Sequence, residues 1–134
     1  MSKTLFNTLL LVLDTETTGL SEKTDQIIEL GGCYFHQAKK VGNILRSRVK
    51  PSIPIPLAST NIHGISDADV VDCPPWHQVS QWLKKHLDDG PLICGYNFIA
   101  FDMKMINAEN KRQFSYLQWS KVRLKRGSLF RMVP

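Results

Sequence analysis

An apolar run that breaks directly into acid sets the strongest limit on how this chain folds. Residues 9–13 read LLLVL, and Asp14, Thr15, Glu16, Thr17, Thr18 and Gly19 follow without a gap. A short continuous apolar run with a turn after it reads as a strand buried on both faces. Chain must then pack above and below it, which points to an α/β sheet with flanking helices. Side chains alternate along a strand, so Asp14 and Glu16 share one side while Thr15 and Thr17 point to the other. Two carboxylates so close repel each other unless a cation neutralises them. Oxygen donors with no neighbouring Cys or His suit magnesium or manganese better than zinc. An isolated acidic pair at a strand end is still more often a solvated turn, so the pair needs context.

Further along, residues 26–36 and 44–50 read as a second and a third strand, making an antiparallel meander with the first. Gly31 and Gly32 inside the second predict a bulge or a close backbone approach. Pro51, Pro54 and Pro56 predict an extended segment that leaves the sheet. Ser66 is placed to cap a short helical turn, with Asp67 and Asp69 at its positive end. Pro74 and Pro75 open a helix whose apolar positions are Trp76, Val79, Leu83 and Leu87, and Gly90–Pro91 stops it. Residues 91–95 predict a short buried strand parallel to the first. Residues 99–110 predict a helix burying Phe101, Met105 and Ile106. No linker divides the chain, and 134 residues suit one domain.

The net charge of +5 is unevenly distributed. All 12 acidic residues lie within 1–110, beside 10 Lys or Arg, whereas 111–134 hold seven Lys or Arg and no acid. That stretch reads as a basic tail suited to phosphates, or as a plain solvated surface. Within it, 121–125 alternate like an edge strand. Cys33, Cys73 and Cys94 are odd in number and widely spaced, which argues against a disulfide framework or a zinc site and for a reducing compartment. The opening MSKTLFNTLLLVL runs into acid with no cleavage site and is too short to span a bilayer. We therefore expect a cytoplasmic location with no membrane partner.

Three segments together resemble a known family. DTETTG, Asp14 to Gly19, resembles the first motif of the DnaQ-like 3′–5′ exonucleases of the DEDD superfamily, which includes the DNA polymerase III epsilon subunit. GYNFIAFD, Gly95 to Asp102, resembles the second motif, in which Asn97, Phe101 and Asp102 match an N-x-x-x-F-D pattern opening a helix. NIHGISDADV, Asn61 to Val70, resembles the substrate-facing loop between them. The likeness covers about residues 8–110, so we divide the chain into a partial exonuclease domain, 1–110, and a basic C-terminal tail, 111–134.

The resemblance implies an RNase H-like mixed sheet with flanking helices, here truncated at its C-terminal side. It also implies two-metal phosphodiester hydrolysis with Mg2+ or Mn2+, releasing nucleoside 5′-monophosphates from a 3′ end. Asp14, Glu16 and Asp102 would be the catalytic and metal-binding acids, with Asp102 acting directly or through water. Thr17 and Thr18 would meet the terminal nucleotide through backbone and hydroxyl groups. Leu20 would press between the last two bases, and His63 would lie against sugar or base. The implied partner is a single-stranded 3′ end, DNA favoured over RNA, with a polymerase or a second copy of the chain as further partners.

One motif of the family has no counterpart. It supplies a His or Tyr base and a fourth Asp, but 111–134 contain neither acid nor histidine, and Tyr116 has nothing acidic behind it. His36, His77 and His86 fall outside the motif. One metal ligand is therefore expected to be missing, and the chain alone is expected to be impaired. A non-catalytic nucleic-acid-binding or interaction module, or a relict fragment, remains the alternative.

Overall fold

Strand β1, Leu10–Thr17, is the axis of the sheet. It pairs antiparallel with β2, Ile27–His36, on one side and parallel with β4, Leu92–Cys94, on the other. The computed structural model describes residues 5–88, 90–113, 118–123 and 128–133, with side chains over 6–88 and 90–113. Strand β3, Lys39–Arg48, extends the sheet beyond β2. Strands β5, Gln118–Arg123, and β6, Ser128–Val133, extend it beyond β4, giving the order β3-β2-β1-β4-β6-β5. The sheet is mixed, as the resemblance implied. Part of the stretch read as a basic tail therefore lies in the sheet, because β6 pairs with β4 at Ile93 and Phe130.

Helices α3, Trp76–Leu87, and α4, Asp102–Arg112, cover one face. Leu11, Leu13, Ile27 and Leu30 from the sheet meet Trp76, Val79 and Leu83 of α3 and Met105 and Ile106 of α4 in the main core. All nine are at most 1% exposed. Burial of each large apolar side chain contributes about 1.5–3 kcal/mol before entropy is counted. The next residue of β2, Ile28, points the other way and packs with Ile55, Ile65 and Val70 under the short helices α1, Leu57–His63, and α2, Asp67–Val70. The start of β2 is thus buried on both faces. Polar ties join the layers: Trp76 Nε1 donates to Asn110 Oδ1 at 2.8 Å, and the Ile27 N–H donates to Glu109 Oε1 at 2.9 Å.

Three local expectations differ from the structure. Strand β3 begins at Lys39, not 44, because Gln37 and Ala38 both take positive φ, 50° and 60°, and close a tight hairpin. Two successive positive φ values define the turn that matches strand twist, but Gln-Ala carries none of its usual Asn or Gly signal. The proline-rich segment gives way at Pro56 to α1, a helix that the residue pattern does not announce. That helix buries no residue, so it has no apolar stripe to betray it. Helix α4 starts at Asp102 rather than 99, because residues 97–101 form the turn that precedes it. The Gly31–Gly32 expectation holds: register slips between Gly32 and Tyr34, and a Cβ on Gly32 would lie 2.8 Å from the Val12 carbonyl.

Candidate active site

Along the end of β1, Asp14 is exposed, Thr15 buried, Glu16 half-buried and Thr17 buried. The alternation keeps both carboxylates on one side, away from the core. Strand β4 runs beside β1 with Val12 abreast of Cys94. Gly95 follows its end, and an added Cβ there would collide with the Leu13 carbonyl. Only glycine lets the two backbones approach so closely. The chain then turns through Asn97, held at φ 53°, whose carbonyl accepts the Phe101 N–H at 3.0 Å. Phe98 is buried as the anchor of this turn. The turn aims Asp102, 2% exposed, back at β1. Asp102 Oδ1 accepts from the Thr15 N–H at 3.0 Å and from Thr15 Oγ1 at 2.5 Å.

Glu16 and Asp102 both feel the charge on Asp14. Burial pushes the Glu16 carboxyl above its ordinary range, and the charge on Asp14 adds to it; His63 opposes the rise, while Glu29 and Asp102 reinforce it. Asp102 is also raised, chiefly by burial; the Thr15 hydroxyl works against this and Asp14 adds to it. The cluster is a concentration of negative charge with which no Lys or Arg pairs among the described residues. Its donors are all oxygens, the set a hard divalent cation prefers. Asp14 and Glu16 fit that role, since they face outward together from one strand. Asp102 joins them less directly: one of its oxygens is committed to Thr15. Among the described residues no three His, Cys, Asp or Glu side chains converge as a ready-made cation cage.

Around the acids, the other expected contacts are mostly engaged within the chain. His63 Nδ1 accepts the Ile65 N–H at 3.1 Å. This assigns the ring proton to Nε2, which lies 3.2 Å from the Thr17 carbonyl and donates to it. With both nitrogens occupied, His63 offers a half-exposed ring rather than a free base. Thr17 Oγ1 donates to the Gly19 carbonyl at 2.6 Å. Thr18 Oγ1 donates to Asp25 Oδ1 and accepts the Gln26 N–H, both at 3.0 Å. The Thr18 carbonyl accepts from Ser59 Oγ at 2.6 Å. Both threonines are buried and stitch the loop after β1 to α1. That loop presents Leu20 to solvent, 86% exposed, so Leu20 is no core residue.

Sequence reasoning missed Tyr96, which is 96% exposed. Tyr96 lies in the turn two residues after Cys94, the residue of β4 that pairs with Val12. A large aromatic in the turn after a parallel strand, directly before Asn97, was the available signal. Ligands of open α/β sheets bind outside the carboxyl ends of such strands.

Comparison with known proteins accords with this architecture. The model of the exonuclease family designated RNase_T matches residues 11–132. The chain belongs to this exonuclease family, in its DnaQ-like, DEDD branch. It is 30% identical over 116 residues to the DNA polymerase III subunit epsilon of Buchnera aphidicola, covering 79% of this chain and 47% of that one. It is 32% identical over 100 residues to the epsilon subunit of Rickettsia typhi, covering 74% and 43%. An uncharacterized exonuclease, CP81, of Escherichia phage 186 is 39% identical over 90 residues, covering 67% and 41%. The chain thus spans less than half the length of these relatives. Among solved structures, E. coli exonuclease I in complex with a dT13 oligonucleotide superposes with a TM-score of 0.72 at 18% identity, over 81% of this chain and 24% of that one. That likeness establishes the RNase H-like fold. The family match also runs through β5 and most of β6, well past residue 110.

Proposed function

We propose that the acidic end of β1 takes the 3′ end of a single strand, DNA in preference to RNA, and cleaves its terminal phosphodiester to release a nucleoside 5′-monophosphate. The observation that carries this reading is the gathering of Asp14, Glu16 and Asp102 at one strand end, with the Glu16 and Asp102 carboxyls raised and, among the described residues, no Lys or Arg paired with any of the three. Asp14 and Glu16 would hold Mg2+ or Mn2+, and Asp102 would join through its second oxygen or a water. A bound divalent ion supplies charge neutralisation of the phosphate and a more acidic water. Thr15 orients Asp102, while Thr17 and Thr18 shape the loop that brings Leu20 forward. The half-exposed ring of His63 and the open face of Tyr96 offer apolar surfaces for sugar and base.

These 134 residues would work slowly by themselves. His63 is committed at both nitrogens, and 111–134 offer neither histidine nor acid, so no general base is assigned. Absence of such a base costs typically ~10²–10⁴ in rate. The likeness to epsilon subunits supports a replicative setting with a polymerase partner. Incubating the chain with 3′-labelled single-stranded DNA and Mn2+ tests the reading. Mononucleotide release above that of Asp14→Ala is expected; release equal to the variant's would refute it. Strand binding that survives Asp14→Ala without any turnover would instead favour a binding module.

A further inference from the structure

Two depressions meet along the outer side of α4, apart from the acidic cluster. The larger, about 550 Å³, lies between Glu22 and Lys23 of the loop after β1 and Lys104, Asn107 and Lys111 of α4. The smaller, about 390 Å³, shares Glu22, Lys23 and Lys104 and reaches Leu20 and the residues just before Asp102. Shared lining makes them one groove. Both of its walls start at the proposed active site, one at Leu20 and the other at the first turn of α4.

Helical spacing explains the charge of this groove. Met105, Ile106, Glu109 and Asn110 face the core, so positions 104, 107 and 111 line the opposite, outward side. Lys104 and Lys111 stand two turns apart, about 10 Å along the helix. Lys23 faces them from the loop. All three lysines are exposed, and none takes part in an ion pair among the described residues. Among the described lining residues Glu22 is the one acid set against them. A concave row of unpaired cations that leads away from a site for a strand end matches a phosphate backbone in both shape and sign.

We propose that this groove carries the phosphates of the strand leading up to the terminal nucleotide, with Lys23, Lys104 and Lys111 as the contacts. The inference rests on the reading of the acidic end as a 3′-terminus site and adds the path of the strand behind it. Affinity then grows with oligonucleotide length, and the added part is sensitive to salt.

The test uses the whole chain and the variant carrying Lys23→Gln, Lys104→Gln and Lys111→Gln. Binding of 5′-labelled thymidylate trimer and dodecamer is followed by fluorescence anisotropy across a KCl series, with Ca2+ present to suppress turnover. The wild type is expected to bind the dodecamer more tightly than the trimer. The variant is expected to lose about tenfold or more on the dodecamer, and its log–log salt dependence to become shallower by about 2, near 0.7 for each phosphate that no lysine neutralises any longer. Trimer affinity falls by a smaller factor than that of the dodecamer, and the thermal midpoint stays unchanged. Lys104→Gln alone gives about a third of the slope change. An unchanged dodecamer affinity and slope overturns the proposal and leaves the groove to a protein partner. An equal loss on the trimer overturns it too, since a trimer is too short to run the length of the groove to Lys111. A wild type that binds neither oligonucleotide overturns the 3′-terminus reading itself, and the groove with it.

Discussion

Helix α4 holds a buried carboxylate near each end, and the two are treated in opposite ways. Asp102 at the first turn is 2% exposed and Glu109 near the last is 1% exposed. Each accepts a backbone N–H from a strand, Thr15 in one case and Ile27 in the other. Burial raises both carboxyls. Glu109 has a cation beside it, Arg112 Nη2 at 3.4 Å, and Arg112 in turn donates to the carbonyls of Glu22 and Asp25. Among the described residues Asp102 has no cation paired with it, only a threonine, and two more acids nearby. One carboxylate is a fastener that ties α4 to the loop and to β2. The other is an unneutralised charge kept in place at a cost to the fold. Burial of an acid is therefore no sign of function by itself; what decides is whether the fold completes the charge balance.

Breaking the fastener gives the largest effect on stability. Glu109→Ala strips Arg112 of its anion and the Ile27 N–H of its acceptor, and should lower the urea-unfolding free energy by about 2–4 kcal/mol. A loss below ~1 kcal/mol would put the two carboxylates in the same class. Asp102→Asn should behave in the reverse manner. It keeps an acceptor for Thr15 and removes a repelled charge, so stability changes by less than about 1 kcal/mol, while mononucleotide release falls at least ~10-fold. An Asp102→Asn variant that loses more than about 2 kcal/mol of stability yet keeps its specific activity would invert the comparison.

A smaller effect isolates the Thr15 contact. Thr15→Val deletes the hydroxyl donor but leaves the backbone one, costing about 1 kcal/mol and raising the Asp102 carboxyl further, as read by NMR titration. The smallest effect is on pH dependence. Glu16, Asp102 and Glu109 all have carboxyls raised in the folded state, so the native chain binds more protons than the unfolded one at mildly acid pH. Their contribution to stability is full below the ordinary carboxylate range and is lost as pH rises through the folded values. The thermal midpoint should fall over that window, and less steeply in the Glu16→Gln, Asp102→Asn double variant. An unchanged slope would assign the whole dependence to Glu109.

Much of this was legible in the sequence because the determinants are local. The strand β1, the acids on one side of it, the short parallel strand beside it and the helix that carries Asp102 follow from periodicity and two motifs, although β1 is fully buried on its core face alone and α4 starts three residues later than expected. What escaped depends on contacts between distant residues. Glu109 looks like any helix glutamate until Ile27 and Arg112 close on it. Helix α1 has no apolar face to announce it, and the Gln37–Ala38 turn lacks the residues that normally signal positive φ. Thr17, Thr18 and His63 were expected to face substrate, and their polar groups turn out to be engaged within the chain, which only the loop's return against α1 reveals. Local patterns were easier to read than the long-range bonds that hold the fold together.

Direct titration of Mn2+ into the protein, followed by the electron paramagnetic resonance signal of the free ion, tests whether the unneutralised cluster is a cation site. Glu109 serves as the internal control. The account predicts that the wild type and Glu109→Gln deplete free Mn2+, that Asp102→Asn binds more weakly, and that Asp14→Asn with Glu16→Gln binds none. Equal depletion by that double variant, or no depletion by the wild type, would contradict it.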